Sequence, residues 1–157
     1  MRTAVLVAAL GSAVALLGGC MSVSATKVDA AGAASAAPTG PVKAVYHLTN
    51  GLDEAQRGMG NIRNHLAADP SAKIVVVTNG NGIEFLLDGA KDRNGNPFDA
   101  TVQDLKSRGV DFRVCNNTLV TRKIDKSKVI PEATIVPSGV AEAANLQARA
   151  GYVYIRP

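Results

Sequence analysis

Two kinds of hydrophobic pattern alternate along residues 42–157. Short runs of β-branched and other apolar residues suit strands that are covered on both faces. Between these runs, apolar residues recur every three or four positions, which is typical of helices with one buried face. The runs that predict strands are residues 42–48, 72–77, 110–114, 131–136 and 152–155. Strands and helices therefore follow each other in the order β-α-β-α-α-β-(α)-β-α-β.

Glycine, proline and polar cap residues mark the ends of the predicted helices. The predicted helices cover residues 52–68, 83–87, 97–108, a short stretch after 115, and 139–150. The third begins with Asn96 as the predicted N-cap and Pro97 in the first helical position. Glycines close the helices at 109 and 151, as expected of C-terminal caps.

The alternation of strands and helices predicts the fold class. Strands joined by helices must return in the same direction, so the sheet is parallel, with helices on both faces. In such sheets, the loops that leave the carboxyl ends of the strands build the functional site. Residues 47–50, 78–82, 115–118 and 137–139 are therefore expected on one edge of an α/β domain.

The first residues have the pattern of an export signal. The apolar run of residues 4–17 is shorter than the roughly 20 residues that a helix needs to span a bilayer. It ends in Leu17-Gly18-Gly19-Cys20, which resembles the bacterial lipobox. We interpret residues 1–19 as a lipoprotein signal peptide and Cys20 as the lipidated residue. Ordinary signal cleavage after Ala25 is the alternative.

Either interpretation predicts an exported protein. Residue 21 is Met and not Asp, which by resemblance to Gram-negative lipoproteins favours a periplasmic protein tethered to the outer membrane. Lipid on Cys20 would hold it to the membrane surface. Residues 20–41 are rich in Ala, Ser and Gly and predict a flexible tether, with an Ala-rich helix over 30–37 as the alternative. The folded domain then spans 42–157.

Composition excludes several classes of function. Aromatic residues make up 4% of the chain and tryptophan is absent, which argues against a nucleic-acid partner held by base stacking. The chain has two histidines and lacks a Cys-x-x-Cys motif, so a structural metal is not expected, and no cofactor motif is evident. The sequence has no Gly-x-Ser-x-Gly motif that would indicate a serine hydrolase.

Cys115 is the main candidate for chemistry. It follows an apolar strand, and the folded domain contains no second cysteine. Asn116, Asn117 and Thr118 suit the start of a helix, whose free N–H groups would lower the pKa of the thiol. Such a thiol could attack sulfane sulfur and hold it as a persulfide. The alternatives are a buried packing residue or a thiol that forms a disulfide between subunits.

The other candidate binding residues come from the same strand ends. They are His47, Thr78, Asn79, Gly80, Asn116, Asn117 and Ser138. The loop 78–82 could hold an anion with its backbone N–H groups, but a tight turn that needs glycine dihedrals explains it equally well. Ser138 suits the start of a helix. The basic side chains between 122 and 128 are either a solvated face or a surface that attracts anions.

Several strings in the domain resemble the DsrE/DsrF-like family of sulfur-relay proteins. They are Val45-Tyr46-His47-Leu48, Val75-Val76-Val77-Thr78-Asn79-Gly80, Phe85-Leu86-Leu87, the block from Gly109 through Cys115 to Leu119, Val136-Pro137-Ser138-Gly139-Val140-Ala141-Glu142, and Gly151-Tyr152-Val153-Tyr154-Ile155. The resemblance is most specific around Cys115 and near the C-terminus. It covers residues 42–157 and indicates an exported, lipoprotein branch of the family.

The resemblance implies a three-layer α/β/α fold with a five-stranded parallel sheet. It also implies homo-oligomers, often trimers or hexamers, and a persulfide on Cys115 that passes to a partner protein. The chain would then be at most a sulfurtransferase-type carrier, with a sulfur donor or acceptor protein as its partner. The alternative is a non-catalytic module that binds a small anion or a protein, with Cys115 in a structural role.

Overall fold

Five short strands form one parallel sheet in this computed structural model, which describes residues 40–157. The strands are β1 (Lys43–Leu48), β2 (Lys73–Thr78), β3 (Asp111–Cys115), β4 (Ala133–Val136) and β5 (Val153–Ile155). Their order across the sheet is β4-β3-β2-β1-β5, and every neighbouring pair is parallel. The order places β1, β2 and β3 side by side, so their carboxyl ends share one edge.

Four α-helices and two short 3₁₀ helices connect the strands. The α-helices are α1 (Leu52–Ala68), α2 (Phe98–Ser107), α3 (Asn116–Thr121) and α4 (Gly139–Ala150). The 3₁₀ helices cover Gly80–Leu86 and Lys126–Lys128. The short helix predicted over 83–87 is therefore the end of a tighter helix that begins directly after β2.

One face of the sheet carries most of the hydrophobic core. Alternate side chains of β1 and β2 point to this face, among them Tyr46, Leu48 and Val76. They pack against α1, the 3₁₀ helix Gly80–Leu86 and α2, which supply Ile62, Phe85 and further apolar side chains. The other side chains of β1 and β2 are buried on the opposite face, so both strands are nearly continuous apolar runs.

The opposite face carries a smaller core under α4 alone. Val45, Val75 and Val77 pack there against Ala143 and Leu146 of α4. Helices therefore cover both faces, and the predicted α/β fold with a five-stranded parallel sheet is confirmed. Asp111 and Arg113 of β3 pair with Val75 and Val77, which face α4. Because side chains alternate along a strand, Cys115 belongs to the same face by register.

The prediction that Asn96 caps the third helix was wrong. The N-cap of α2 is Pro97, with the extended backbone expected of a cap (φ −67°, ψ 137°), and α2 begins at Phe98. Asn96 instead closes a polar turn: its backbone N–H donates to Asp92 Oδ1 at 2.9 Å and its amide donates to Asp92 Oδ2 at 3.2 Å. Asn96 therefore belongs to the turn before α2, and Pro97 occupies the cap position.

The export predictions concern residues that the structure does not cover. The signal peptide, Cys20 and the tether up to residue 39 lie outside the described residues. In residues 40–157, no helix combines the length and hydrophobicity needed to cross a bilayer.

Candidate site around Cys115

The carboxyl ends of β2 and β3 meet the first turn of α4 at Cys115. Cys115 is the last residue of β3 and also the N-cap of α3. α4 begins at Gly139, and an ideal Cβ placed there would lie 2.9 Å from the Thr78 carbonyl oxygen and 3.2 Å from Cys115 Cβ. Only a residue without a side chain lets α4 approach both strands this closely. Gly139 therefore brings the helix start against the thiol.

Polar groups surround the sulfur, although Cys115 is only 4% exposed. Burial by itself raises the pKa of the thiol. Hydrogen bonds from the Gly139 N–H, from the hydroxyl and N–H of Thr118, and from the Asn117 N–H outweigh burial, and the pKa of Cys115 is lowered. Asn117 has the smallest influence. Its N–H also donates to the Pro137 carbonyl at 3.3 Å. The arrangement favours a thiolate.

An open pocket of about 390 Å³ adjoins Cys115. Its lining residues are Asn79, Gly80, Cys115, Asn117, Thr118, Thr121, Arg122, Ser138 and Val140. The lining contains one cation and no carboxylate. Arg122 is partly engaged, since its guanidinium donates to Glu84 Oε1 at 2.9 Å and to the Gly80 carbonyl at 3.3 Å. The pocket therefore suits a small neutral or anionic molecule.

Five of the predicted site residues meet at this pocket. They are Asn79, Gly80, Cys115, Asn117 and Ser138. Ser138 also has the structural role expected of it, because it is the N-cap of α4 and accepts from the Ala141 N–H at 3.4 Å. More than half of the residues that line the pocket were therefore among the residues expected at the strand ends.

Three predicted residues lie beside the pocket and not in its lining. The side chain of Thr78 is fully buried and donates to the Arg113 carbonyl at 3.1 Å, so it joins β2 to β3. Asn116 is half-buried, and its Oδ1 has no hydrogen-bond partner among residues 40–157. His47 reaches the site indirectly, because its Nε2 lies 2.7 Å from Oδ1 of Asn79.

Backbone N–H groups of the loop 78–82 are engaged within the fold. The N–H of Asn79 donates to the Leu48 carbonyl, that of Gly80 to Thr118 Oγ1, and that of Gly82 to the Asn79 carbonyl. An ideal Cβ at Gly82 would lie 2.1 Å from the Leu48 carbonyl oxygen. The glycines thus serve a tight turn packed on β1, and the geometry favours this interpretation over an anion cradle.

Thr121 and Val140 were not singled out from the sequence, and Gly139 was expected only as part of the edge segment 137–139. Thr121 lies three positions after Thr118 on α3, so helical spacing could have placed both on one face. Gly139 follows the cap residue Ser138, but nothing local shows that it faces the thiol. In residues 40–157, no group of three His, Cys, Asp or Glu side chains could hold a metal ion.

The sequence model of the DsrE/DsrF-like family matches residues 42–157. The chain belongs to the DsrE/DsrF-like family. None of the curated proteins compared with it matches significantly.

Two solved structures show the same fold. A protein of unknown function from Methanobacterium thermoautotrophicum, MTH1491, is 27% identical with a TM-score of 0.64, over 74% of this chain and 99% of that one. The ychN protein of E. coli is 13% identical with a TM-score of 0.59, over 75% of this chain and 99% of its own. DsrE/DsrF-like membership points to sulfur relay as the broad functional theme.

Proposed function

We propose that Cys115 accepts sulfane sulfur as a persulfide and passes it to an acceptor thiol. The observation that carries the proposal is the thiol's position between the start of α4 and Thr118, whose hydrogen bonds lower its pKa, beside an open pocket. A thiolate is the attacking form in sulfur exchange. The surroundings are polar where a mere packing cysteine would be enclosed by aliphatic side chains.

The proposed exchange needs no external oxidant or reductant. The Cys115 thiolate attacks the outer sulfur of a donor R–S–S⁻; a new S–S bond forms at Cys115, and the donor bond breaks to release R–S⁻. An acceptor thiolate then attacks the outer sulfur, and Cys115 leaves as a thiolate. With thiosulfate as the donor, the released group is sulfite. The outer sulfur requires space next to Cys115, and the pocket provides it.

Intact-protein mass spectrometry tests the proposal directly. The full chain carrying Cys20→Ser, which leaves Cys115 as its one thiol, is incubated with polysulfide or thiosulfate. We expect a mass increase of one sulfur atom, reversed by a small thiol. The matched control adds Cys115→Ser. Equal sulfur uptake by this control, or no uptake by the parent, would refute the carrier function.

The low exposure of Cys115 favours a second candidate function, a non-catalytic binding or assembly module. Val140 on the pocket wall is 61% exposed and Val120 on α3 is 65% exposed, so apolar surface lies next to the pocket. In this alternative, the pocket side binds a protein or a small anion and Cys115 is structural. Slow alkylation of Cys115 by iodoacetamide in the native protein, with fast alkylation after unfolding, would support it.

Assembly and location stay predictions. We propose a homo-oligomer, a trimer or hexamer, which light scattering of the purified chain would reveal. We also propose an exported lipoprotein of the periplasm, tethered through Cys20. Incorporation of a labelled fatty acid in the parent, and its loss in Cys20→Ser, is the corresponding measurement. Labelling of both proteins, or of neither, would contradict it.

A further inference from the structure

The two histidines of the chain make matching contacts with tyrosines but differ in what lies beyond. His65 Nδ1 is 3.0 Å from the Tyr46 hydroxyl, and His47 Nδ1 is 3.0 Å from the Tyr154 hydroxyl. His65 makes no further side-chain hydrogen bond in the described part of the chain. His47 does, because its Nε2 is 2.7 Å from Oδ1 of Asn79. Only His47 is linked to the pocket beside Cys115.

The direction of these hydrogen bonds fixes the amide of Asn79. An amide oxygen can only accept, so His47 Nε2 carries the hydrogen and donates it. In the neutral ring, Nδ1 then accepts from the Tyr154 hydroxyl. With Oδ1 held by His47, the Nδ2 amino group of Asn79 is left as a donor, and it has no hydrogen-bond partner among residues 40–157.

Asn79 is close enough to Cys115 to act on the same bound molecule. An ideal Cβ at Gly139 would lie 3.3 Å from Asn79 Cβ and 3.2 Å from Cys115 Cβ, so both side chains start beside one point. Both also line the pocket. The charged donor of the lining, the Arg122 guanidinium, is partly engaged by Glu84 and by the Gly80 carbonyl.

We propose that His47 is a positioning residue that, with Tyr154, orients Asn79 so that its Nδ2 donates a hydrogen bond to the anionic group of the molecule attacked by Cys115. The proposal rests on the proposed function and names its substrate class: an anionic sulfane-sulfur donor, such as thiosulfate or a persulfide anion. The absence of carboxylates from the pocket lining agrees with an anion. Asn79 contacts the substrate, and His47 acts through it.

A pair of alkylating reagents tests this orientation without requiring sulfur transfer. Iodoacetate and iodoacetamide react at the same carbon and have nearly the same size, but only iodoacetate is an anion. The rate ratio of iodoacetate to iodoacetamide at Cys115 cancels the thiolate fraction, because both reagents need the thiolate. The ratio therefore reports recognition of the negative group, measured on the full chain carrying Cys20→Ser.

We expect Asn79→Leu and His47→Leu each to lower this ratio about tenfold, the effect of losing a hydrogen bond to a charged group. The double variant should be no lower than Asn79→Leu alone, since His47 acts only through Asn79. His47→Gln, whose amide N–H can replace the Nε2–H, should restore most of the ratio. The matched control is His65→Leu, which removes the equivalent histidine–tyrosine contact away from the pocket and should leave the ratio unchanged.

The proposal would be overturned if the reagent ratio of His47→Leu equalled that of the parent. It would also be overturned if the ratio of the double variant fell additively below that of Asn79→Leu. If His47→Leu fails to fold, Tyr154→Phe replaces it, because Tyr154 is an exposed residue on an edge strand. Tyr154→Phe should lower the reagent ratio to a smaller extent than His47→Leu. An unchanged ratio would count against the proposal. Failure of the carrier function shows separately. In that case the parent takes up no sulfur in the mass spectrum, although His47→Leu still lowers the reagent ratio.

Discussion

The hydroxyl of Thr118 connects the two sides of the site. Its oxygen accepts the Gly80 N–H at 3.1 Å, which fixes the turn after β2. Its hydrogen bond to the sulfur is one of those that lower the pKa of Cys115. One side chain therefore sets both the shape of the pocket and the ionisation of the thiol.

Thr118→Val keeps the shape of this side chain and removes its hydrogen bonds to the sulfur and to the Gly80 N–H. We expect the pKa of Cys115 to rise, so that the thiolate forms at higher pH than in the parent. The midpoint of the alkylation rate against pH, measured with iodoacetamide, should move upward, because the thiolate loses one of the hydrogen bonds that stabilise it. Because the parent pKa is lowered, the parent midpoint should lie below that of an unfolded cysteine.

Thr121→Val is the matched control for this change. Thr121 lies on the same helix and lines the same pocket, but it is not among the groups that lower the pKa of Cys115. Its midpoint should coincide with that of the parent. If the alkylation midpoint of Thr118→Val equalled that of the parent, the Thr118 hydroxyl would not stabilise the thiolate.

At the scale of elements, the turn after β2 packs closely against the end of β1. The 3₁₀ helix Gly80–Leu86 packs directly on the end of β1, where Gly82 meets the backbone of Leu48 and Thr49. The loop between β1 and α1 is held from the other side by Glu54, which is 2% exposed and accepts the Asn50 N–H at 2.6 Å. The strand ends that build the pocket are thus fixed by rigid turns.

Two glycine-to-alanine changes should have opposite effects on stability. Gly82→Ala would place a Cβ 2.1 Å from the Leu48 carbonyl oxygen, so backbone must move, and we expect a loss of about 3 kcal/mol or more. Gly60→Ala, inside α1 with open space around its Cβ, should instead gain about 0.5–1 kcal/mol from helix propensity. Urea denaturation measures both. Equal effects of the two changes would contradict the packing described here.

At the scale of the whole domain, the two faces of the sheet are unequally anchored. α1 buries Ala55, Met59, Ile62 and Leu66 against the larger core. α4 buries Ala143 and Leu146, and its first turn is held by an ion pair between Glu142 and Arg113 of β3. The helix that supplies Gly139 to Cys115 is therefore the more weakly packed of the two.

This asymmetry predicts the order of local opening. Elements with few buried apolar contacts open at lower free energy than the core. In native-state hydrogen exchange, amides of α4 should exchange through an opening of lower free energy than those of α1. Protection of α4 equal to that of α1 would contradict the prediction. In the proposed transfer, opening of α4 would expose the persulfide on Cys115 to an acceptor protein.

The sequence determined the elements of this protein and the edge on which its site lies. Residue periodicity fixes strands and helices locally, and strands joined by helices return in parallel. The local pattern alone therefore places Cys115, Asn79 and Ser138 on one edge of the sheet. The cap of α2 was misassigned by one residue, because Asn96 belongs to a turn closed by Asp92 that cap preferences do not reveal.

Only the tertiary structure decided the order of the strands and the surroundings of the thiol. The Gly139 contact, the Thr118 hydrogen bonds and the link from His47 to Asn79 join residues that lie on different elements. Such contacts depend on how packed elements approach one another, and on the direction of each hydrogen bond. Neither is encoded in the local pattern, because periodicity records which face of an element is buried and not what it meets there.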